Sequence, residues 1–499
     1  MNRLLTHIDC GESIPIDNPH SLSVSLPTIS DVIGYEEGDL EILNKMKSGY
    51  PRFFRNKLVQ QLVDYVQNHF SISSSKTVLP ITSLKALKIL EYLIEDSLEF
   101  VEVDGSVFII IDEANSKLQS LKDYIRNAGL IISSRQAEQA LMKLNLLNKL
   151  FDEEKLNFAE AFENVEITLS DAYNIKKENI ILANSGANAL FSVCEALVTF
   201  EKDKNTIVQL GWLYVDTMEV IEKRSQNTYL QLNVFDLNQL DIWLTLNHST
   251  VAVLVTEVVS NPKIQCVDII TLYDICKKYG IKLVLDTTLI TPFIAPVLQY
   301  CDIAVESLSK FASGNADVLM GAIVISDNCN FSKTAIQEFV VSPFAGEVER
   351  LGIEILGYRQ RVEKISHNTR KLIDFFSKHE EVDQVLSVYS DQSKFNFEKL
   401  SQNNLLPGLI SVVFKDKLSN YYDVLRLAKG PSLGTEFTLA MPYVYLAHYD
   451  LIQTIEGRSY LSDNGIDTEL LRISVGLEPI EEIIEVFDLV LKNKNLLKC

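Results

Sequence analysis

A turn of small residues is the first feature of the chain that could take part in chemistry. Residues 184–189 (NSGANA) follow an apolar run at 180–182 and precede a stretch whose apolar residues have the spacing of one helical face. Such a turn presents free backbone amides at a helix N-terminus, where the helix dipole favours an anion such as phosphate. An ordinary tight turn between a strand and a helix would explain the same residues.

A carboxylate and a lysine follow at two later points of the chain. Asp286 ends the apolar run 282–285, so we expect it at the carboxyl end of a buried parallel strand, where open α/β sheets bind ligands. Its burial is costly without a cationic partner, and a helix N-cap is an alternative role. Lys310 follows the next predicted strand, close to Ser307 and Ser309. A lysine desolvated there becomes nucleophilic, whereas most lysines are solvated surface charges.

The combination is more informative than any one of these features. An anion-binding turn, a carboxylate at a strand end and a buried lysine occur in that order on a predicted parallel sheet. Pyridoxal phosphate (PLP) needs the same three parts: amides for its phosphate, a partner for its pyridinium nitrogen and a lysine for its Schiff base. The sequence therefore predicts a PLP site.

The elements that must position these residues alternate along the middle of the chain. Within residues 151–330 we predict strands at 180–182, 207–210, 251–256, 282–285, 303–305 and 322–325. Helical patterns between them predict an α/β fold with a mostly parallel, doubly wound sheet, the large PLP-binding domain. Residues 331–499 begin with a long helical stretch and then carry strands near 409–414 and 471–475, which predicts a smaller C-terminal α+β domain.

Two segments precede this large domain. Residues 1–56 have little periodicity and several turn signals, so we interpret them as an N-terminal arm. Residues 57–150 show a strand, helix, strand, helix order and are predicted as an inserted α/β segment. The insertion offers no chemical motif of its own, and the sequence indicates no role for it.

Composition excludes several other classes of protein. The 499 residues carry 46 Lys and Arg against 67 Asp and Glu, a net charge of −21, which excludes non-specific nucleic-acid binding and disfavours anionic membranes. The apolar runs are too short to span a bilayer, and the N-terminus lacks a signal-peptide pattern, so we expect a cytoplasmic protein. The seven cysteines form no C-x-x-C pair and the seven histidines no H-E-x-x-H motif, so neither a disulfide framework nor a metal site is predicted.

Seven segments of the sequence resemble motifs of the Cys/Met-metabolism family of PLP enzymes, which includes the cystathionine γ-synthases and γ-lyases. They are 213–217 (LYVDT), 256–262 (TEVVSNP), 286–288 (DTT), 307–311 (SLSKF), 314–321 (GNADVLMG), 432–434 (SLG) and 471–478 (LRISVGLE). The chain departs from the family at Asn184, Val258, Val259 and Met320, where the family has Ser, Ser, Pro and Gly. The resemblance implies a PLP-dependent transferase of fold type I.

The N-terminal region resembles the long fungal-type cystathionine γ-synthases more closely. The similar segments are 11–15, 20–27, 34–38 and 49–54 in the arm and 131–135 in the insertion. In the family, a Y-x-R motif reaches the cofactor phosphate of the neighbouring subunit. The resemblance therefore implies that Tyr50 and Arg52 complete a neighbour's site in a homodimer or a dimer of dimers.

The resemblance also implies a role for each site residue. Cofactor contacts are implied for Tyr50, Arg52, Ser185, Gly186, Ala187, Tyr214, Asn261, Asp286, Ser307, Ser309 and Lys310. Lys310 forms the Schiff base, Asp286 keeps the pyridine nitrogen protonated, and Tyr214 stacks on the ring and helps to move protons. The phosphate is bound by the amides of Gly186 and Ala187 and by the two serine hydroxyls, and Asn261 lies near the ring hydroxyl. Arg472 binds the substrate α-carboxylate as a guanidinium fork does, with Ser432 beside it.

Three functions remain open from the sequence. The favoured one is γ-replacement, in which an activated homoserine loses its γ-substituent and a thiol adds, as in a cystathionine γ-synthase. The second is a lyase that cleaves the C–S bond of cystathionine or a related amino acid. The third, a catalytically silent PLP-fold protein, is disfavoured because Lys310, Asp286, Tyr214 and Arg472 are all present. A cluster of tyrosines at 443, 445 and 449 is interpreted as core packing.

Overall fold

The N-terminal arm packs on the rest of its own chain. The computed structural model describes residues 4–51, 54–201, 204–224 and 227–493. The arm contains α1 (Ile29–Glu36) and α2 (Leu40–Leu43). The amide of Leu22 donates to the Ala316 carbonyl oxygen at 2.6 Å, and the amide of Leu26 donates to that of Lys429 at 2.9 Å. These bonds fix the arm on the loop after Lys310 and on the C-terminal domain.

The insertion folds around a small sheet of its own. Its elements are α3 (Lys57–His69), β1 (Lys76–Ile81), α4 (Leu84–Ile94), β2 (Phe100–Val103), β3 (Ser106–Asp112), α5 (Leu118–Asn127) and α6 (Ser134–Lys143). The sheet has the order β1-β3-β2 and is antiparallel throughout. The helices α3 and α6 and the strand β2 were not expected from the sequence. β2 has four residues that alternate between exposed and half-buried, too weak a pattern to distinguish from a loop.

The large domain has the alternating order that the sequence predicts. Its elements are α7 (Phe158–Tyr173), β4 (Ile180–Ala183), α8 (Gly186–Phe200), β5 (Thr206–Leu210), α9 (Val215–Arg224), β6 (Asn227–Gln231), α10 (Leu237–Asn247), β7 (Val251–Glu257), α11 (Ile269–Tyr279), β8 (Lys282–Asp286), α12 (Thr291–Ile294), β9 (Ile303–Ser307) and β10 (Gly321–Ile325). The sheet order is β4-β10-β9-β8-β7-β5-β6. The five strands from β9 to β6 are parallel, and β10 is antiparallel to both neighbours. The predicted mostly parallel α/β sheet is confirmed.

This sheet is apolar on both faces because helices cover both. All seven residues of β7 are buried. Leu254 belongs to the hydrophobic core on one side of the sheet, whereas Val253 and Val255 belong to the core on the other side. Strands that are buried on both faces consist of uninterrupted apolar residues, so the sequence pattern predicts their positions well. The exception, β6, lies at the sheet edge and is largely exposed.

The C-terminal region contains helices and a third sheet, which is mixed, and its first two helices pack on α8 and α7 of the large domain. Its elements are α13 (Lys333–Gln337), α14 (Ala345–Glu354), α15 (Tyr358–Phe376), β11 (Val382–Leu386), α16 (Asp391–Leu400), β12 (Leu409–Phe414), α17 (Ser419–Tyr422), β13 (Ala428–Lys429), β14 (Leu439–Pro442), α18 (Tyr443–Ala447), α19 (Tyr449–Gln453), α20 (Ile455–Asp463), β15 (Leu471–Ser474) and α21 (Ile480–Asn493). The sheet order is β11-β12-β15-β14-β13. The two central strands, β12 and β15, are those that the sequence predicts.

Two classes of feature are absent from the part of the chain that the structure describes. None of its helices combines the length and the apolar character needed to cross a membrane. Within the same residues, no group of three or more His, Cys, Asp and Glu side chains is arranged to hold a metal ion.

A buried arginine joins the insertion to the large domain. Arg135, on α6, donates from Nε and Nη2 to the Glu153 carboxylate at 2.8 and 2.7 Å and from Nη1 to Glu347 at 3.0 Å. Nη1 also donates to the Asp317 carbonyl oxygen, in the loop that follows Lys310. Burial opposes the charge of Arg135, but the carboxylates of Glu347, Glu153 and Asp317 outweigh it and raise its pKa. The guanidinium therefore stabilises three buried carboxylates, of which Glu153 and Asp317 also face Arg350.

We expect Arg135→Met to lower the free energy of unfolding by about 3–5 kcal/mol, because it leaves buried carboxylates without their cation. Urea unfolding of the full chain, followed by circular dichroism, measures the difference. Lys143→Ala is the matched control, because Lys143 lies on the same helix but pairs with Asp104 at the surface. An equal effect of the two substitutions would contradict the role of Arg135.

Candidate active site

The anion turn lies at the start of α8 and faces a cavity at the carboxyl ends of the parallel strands. Ser185 caps the helix: its hydroxyl accepts from the Asn188 amide at 3.0 Å. Gly186 and Ala187, in the first turn, line the cavity. A Cβ on Gly186 would lie 2.7 Å from the Cβ of Ser307, so only glycine lets the turn approach the end of β9 this closely. The turn can therefore present its amides and the Ser307 hydroxyl to one anion.

Two buried carboxylates lie side by side at the ends of β7 and β8. The sheet register pairs Glu257 with Asp286. Asp286 accepts from the Thr288 amide at 2.8 Å, and burial raises its pKa in spite of that bond. Glu257 accepts from the amides of Tyr214 at 2.6 Å and Asn261 at 3.0 Å, but burial and the neighbouring Asp286 raise its pKa well above the usual range. No lysine, arginine or histidine of the described residues lies within 4 Å of the Asp286 carboxylate.

The amine of Lys310 lies among hydroxyl groups. Its Nζ is 3.3 Å from the Tyr50 hydroxyl and 3.3 Å from Ser432 Oγ. The Tyr214 hydroxyl is 3.2 Å from that of Tyr50, so the three oxygens form a network around the amine. Lys310 is buried, with 9% of its surface exposed, and it lines the cavity. Ser309 lines it too, and its hydroxyl accepts from the Met320 amide at 3.1 Å.

The expectation that Tyr50 serves a neighbouring subunit stays a prediction. In the structure, Tyr50 enters the cavity of its own chain, because the arm before it is fixed on its own C-terminal domain. The Ile29 amide, for example, donates to the Asp423 carboxylate at 2.8 Å. Arg52, the other residue of that motif, lies outside the described residues. Assembly into a homodimer or a dimer of dimers stays a prediction.

Arg472 is a buried guanidinium with an unused donor. Its Nη2 donates to the Ser432 carbonyl oxygen at 2.6 Å and its Nη1 to Asn261 Oδ1 at 3.3 Å. Its Nε is buried with no hydrogen-bond partner, and no carboxylate of the described residues pairs with it. Burial lowers the pKa of Arg472 to about 10. A buried guanidinium in this state is a receptor for a carboxylate that comes from a ligand.

These features fit the chemistry of the predicted cofactor. The buried Asp286 carboxylate requires a positive charge, which a protonated ring nitrogen provides. The close approach of Gly186 to Ser307 leaves amides and hydroxyls for a phosphate. Lys310 provides a buried amine for a carbonyl group, and the open donor of Arg472 accommodates the carboxylate of an amino acid.

The structure brings almost all of the predicted site residues into one cavity. Among those that line it are Tyr50, Ser185, Gly186, Ala187, Tyr214, Asn261, Asp286, Ser307, Ser309, Lys310, Ser432 and Arg472. Their individual roles remain predictions. Sequence reasoning gave no role to Glu257, although it belongs to a motif that was recognised. The interpretation of Tyr443 as core packing is confirmed, because Tyr443 is buried in the hydrophobic core; its ring also lies 5.6 Å from the Arg472 guanidinium carbon and lines the cavity. A lone tyrosine in an apolar helix gives no signal of such a role.

Comparison with known proteins identifies a single family. Residues 162–492 match the family described as Cys/Met metabolism PLP-dependent enzyme. A relative from Streptantibioticus cattleyicolor, named L-2-amino-4-chloropent-4-enoate dechlorinase/desaturase, is 32% identical over 94% of this chain and 95% of its own. A cystathionine γ-synthase of Neurospora crassa is 27% identical over 97% of this chain and 98% of its own.

A solved structure supports the fold. The crystal structure of cystathionine γ-lyase from yeast superposes with a TM-score of 0.57 and 20% identity, covering 67% of this chain and 86% of that one. At this identity the comparison concerns the fold alone, which is that of the PLP-dependent cystathionine lyases and synthases.

Because two carboxylates are buried side by side, we expect the stability of the cofactor-free protein to depend on pH. A carboxyl whose pKa is raised in the folded protein still holds its proton at a pH where the unfolded chain has released it. The free energy of unfolding therefore falls as the pH rises above the pKa of an aspartate in the unfolded chain, about 4. We therefore expect Asp286→Asn to raise the melting temperature of the cofactor-free protein at pH 7–8 but not near pH 4. Asn keeps an oxygen for the Thr288 amide.

Asp268→Asn is the matched control, because Lys399 pairs with this cap residue and its pKa is lowered rather than raised. We expect this substitution to lower the melting temperature at pH 7–8. A lower melting temperature in both variants would contradict the prediction that the Asp286 carboxylate destabilises the cofactor-free protein at pH 7–8.

Proposed function

Because the chain belongs to the Cys/Met metabolism family of PLP-dependent enzymes, we propose that it removes a substituent from the γ-carbon of an L-amino acid and adds a thiol in its place. The observation that carries this proposal is the position of the Lys310 amine between the Tyr50 and Ser432 hydroxyls, with the open donor of Arg472 in the same cavity. The first substrate would be an activated homoserine, as for a cystathionine γ-synthase.

The residues of the cavity divide into groups according to what they would hold. Lys310 would bind the aldehyde of PLP, and Asp286 would pair with the ring nitrogen. The amides at the start of α8, with the hydroxyls of Ser307 and Ser309, would hold the phosphate. When bound, PLP supplies an electron sink conjugated to the α-carbon of the substrate.

Substrate orientation would depend on Arg472. Its free Nε lies beside an Nη2 that is anchored on the Ser432 carbonyl oxygen, so a carboxylate binds to a guanidinium of fixed orientation. Ser432 has a φ of +95°, an uncommon conformation for a residue with a side chain. This conformation lets one residue orient Arg472 with its carbonyl and contact Lys310 with its hydroxyl.

Loss of a γ-substituent requires proton removal at the α-carbon and then at the β-carbon. The Lys310 amine would be the base that serves both positions, because it is a buried amine that lines the cavity. The Tyr50 hydroxyl is within hydrogen-bond distance of that amine and of the Tyr214 hydroxyl. The two tyrosines would orient the amine and pass a proton between them.

The fate of the γ-carbon distinguishes two candidate reactions. Likeness to cystathionine γ-synthases along 97% of the chain supports addition of a thiol such as cysteine. The second candidate is elimination without a thiol, as in a lyase. It is favoured by the relative at 32% identity, whose name describes loss of chlorine from carbon 4, the γ-carbon of its amino acid.

Product analysis separates these candidates. The purified enzyme is supplied with O-acetyl-, O-succinyl- or O-phospho-L-homoserine, L-cystathionine or L-2-amino-4-chloropent-4-enoate, each with and without cysteine, and products are measured by mass spectrometry. We expect a thioether from a homoserine ester only when cysteine is present, and faster than 2-oxobutanoate forms. Release of chloride or of 2-oxobutanoate independently of cysteine would replace the first candidate by the second. No turnover of any γ-substituted substrate, with PLP bound, would contradict both.

Arg472→Lys tests the binding of the α-carboxylate. Lysine keeps the charge but loses the planar fork, so we expect KM for the amino acid to rise about 10- to 100-fold, the effect of one or two charge-assisted hydrogen bonds. The visible absorbance of bound PLP should remain unchanged. Arg370→Lys is the control, because Arg370 bonds to Tyr389 and Asn404 outside the cavity. An unchanged KM in Arg472→Lys would reject the assignment.

A further inference from the structure

The insertion forms part of the wall of the cofactor site. Three side chains of the anion turn donate to the segment that follows α5: Ser185 to the Gly129 carbonyl oxygen at 3.3 Å, Asn188 to that of Ala128 at 3.2 Å and Asn184 to that of Ile131 at 3.4 Å. The turn that would hold the phosphate is therefore fixed by the insertion.

The segment that follows α5 and the turn before α8 lie so close together that there is no room for a side chain at Gly129. Gly129 has a φ of +62°, and a Cβ built on it would lie 2.6 Å from the Asn188 amide nitrogen. A side chain at this position would displace the amides of the first turn of α8. Gly129 and Ile131 both line the cavity together with Gly186 and Ser307.

Arg126 brings a positive charge to this wall. It lies in the last turn of α5, and it lines the same cavity. Its Nε donates to Asn127 Oδ1 at 2.9 Å and its Nη2 to Glu219 Oε2 at 2.8 Å, so the plane of the guanidinium is fixed. Asn127 also donates to Glu219, which fixes the carboxylate in turn. No hydrogen bond from Arg126 Nη1 is present among the described residues.

A phosphate in this cavity is bound more strongly when a cationic side chain joins the neutral donors. The amides of α8 and the serine hydroxyls are neutral donors, whereas the phosphate carries close to two negative charges. Three cationic side chains of the described residues line the cavity: Arg126, Lys310 and Arg472. In the proposed function, Lys310 binds the aldehyde and Arg472 the substrate carboxylate. Among the described residues, Arg126 is the one that remains for the phosphate; Arg52, which the resemblance assigns to it, lies outside them.

We propose that Arg126 binds the phosphate of PLP through Nη1, so that the insertion completes the cofactor site of its own chain. The proposal rests on the assignment of the α8 turn as the phosphate site. Because Arg126 Nε and Nη2 are held by Asn127 and Glu219, Nη1 is the donor available to the ligand. Arg126 is thus a cofactor-binding residue, and it gives the insertion a role in function.

The experiment compares two ligands that differ only in the phosphate. PLP and pyridoxal, which lacks the phosphate, are titrated into the full-length protein after removal of its cofactor, and binding is followed by visible absorbance. We expect Arg126→Ala to raise the Kd for PLP about 10- to 100-fold, the effect of losing a charge-assisted hydrogen bond. The Kd for pyridoxal should remain unchanged. Arg126→Gln, which can still bond to Glu219, should lose PLP affinity to a similar degree even if the alanine variant folds poorly.

Controls separate this role from a structural one and from the arm. Lys122→Ala is the matched control, because Lys122 lies on the same helix but does not line this cavity. The Kd of this variant for PLP and for pyridoxal should not change. Arg52→Ala tests the arginine that the resemblance assigns to the phosphate. If both Arg126 variants bind PLP and pyridoxal more weakly by the same factor, the role of Arg126 is structural and the proposal is overturned. Full PLP affinity in them, with a loss confined to Arg52→Ala, would also overturn it. Neither result requires turnover, so the proposal can fail while the proposed function holds.

Discussion

The parallel register of β7 and β8 places two carboxylates side by side in the interior, and the rest of the site follows from how their charges are balanced. Glu257 and Asp286 are paired across the two strands, and burial raises the pKa of both. Glu257 accepts hydrogen bonds from two backbone amides. These bonds fix Tyr214, just before α9, and the loop at Asn261. Asn261 in turn accepts from Arg472. One buried carboxylate, Glu257, thus connects the tyrosine, the arginine and the second carboxylate, Asp286, for which we propose a contact with the cofactor ring.

The arm and the insertion are integral to this arrangement. The arm brings Tyr50 to the Lys310 amine of the same chain. The insertion contacts the other end of the cavity, through Gly129 at the anion turn and through Arg135 at the loop after Lys310. The cavity is therefore lined by elements from four parts of the chain, and displacement of any one of them would change its geometry.

Three of the four departures from the family motifs have a structural setting that accommodates them. Asn184, where the family has serine, donates to the carbonyl oxygen of Ile131 and so contacts the insertion. Met320, where the family has glycine, is fully buried, and its amide still donates to the Ser309 hydroxyl. Val259 lines the cavity, where it makes that part of the wall apolar. Nothing in the structure explains Val258 beyond its place in the core.

The sequence by itself determined the buried strands of the large domain, their order along the chain and most of the residues that line the cavity. Strands buried on both faces are continuous apolar runs, and residues such as Asp286 and Lys310 follow them directly, so local pattern and topology were sufficient. Only the tertiary structure decided which groups face one another. The open donor of Arg472, the balance of Glu257 against Asp286 and the contacts of Arg126 and Tyr443 all depend on segments far apart in the chain. Local periodicity carries no information on such contacts, because burial and pairing arise only when the segments pack.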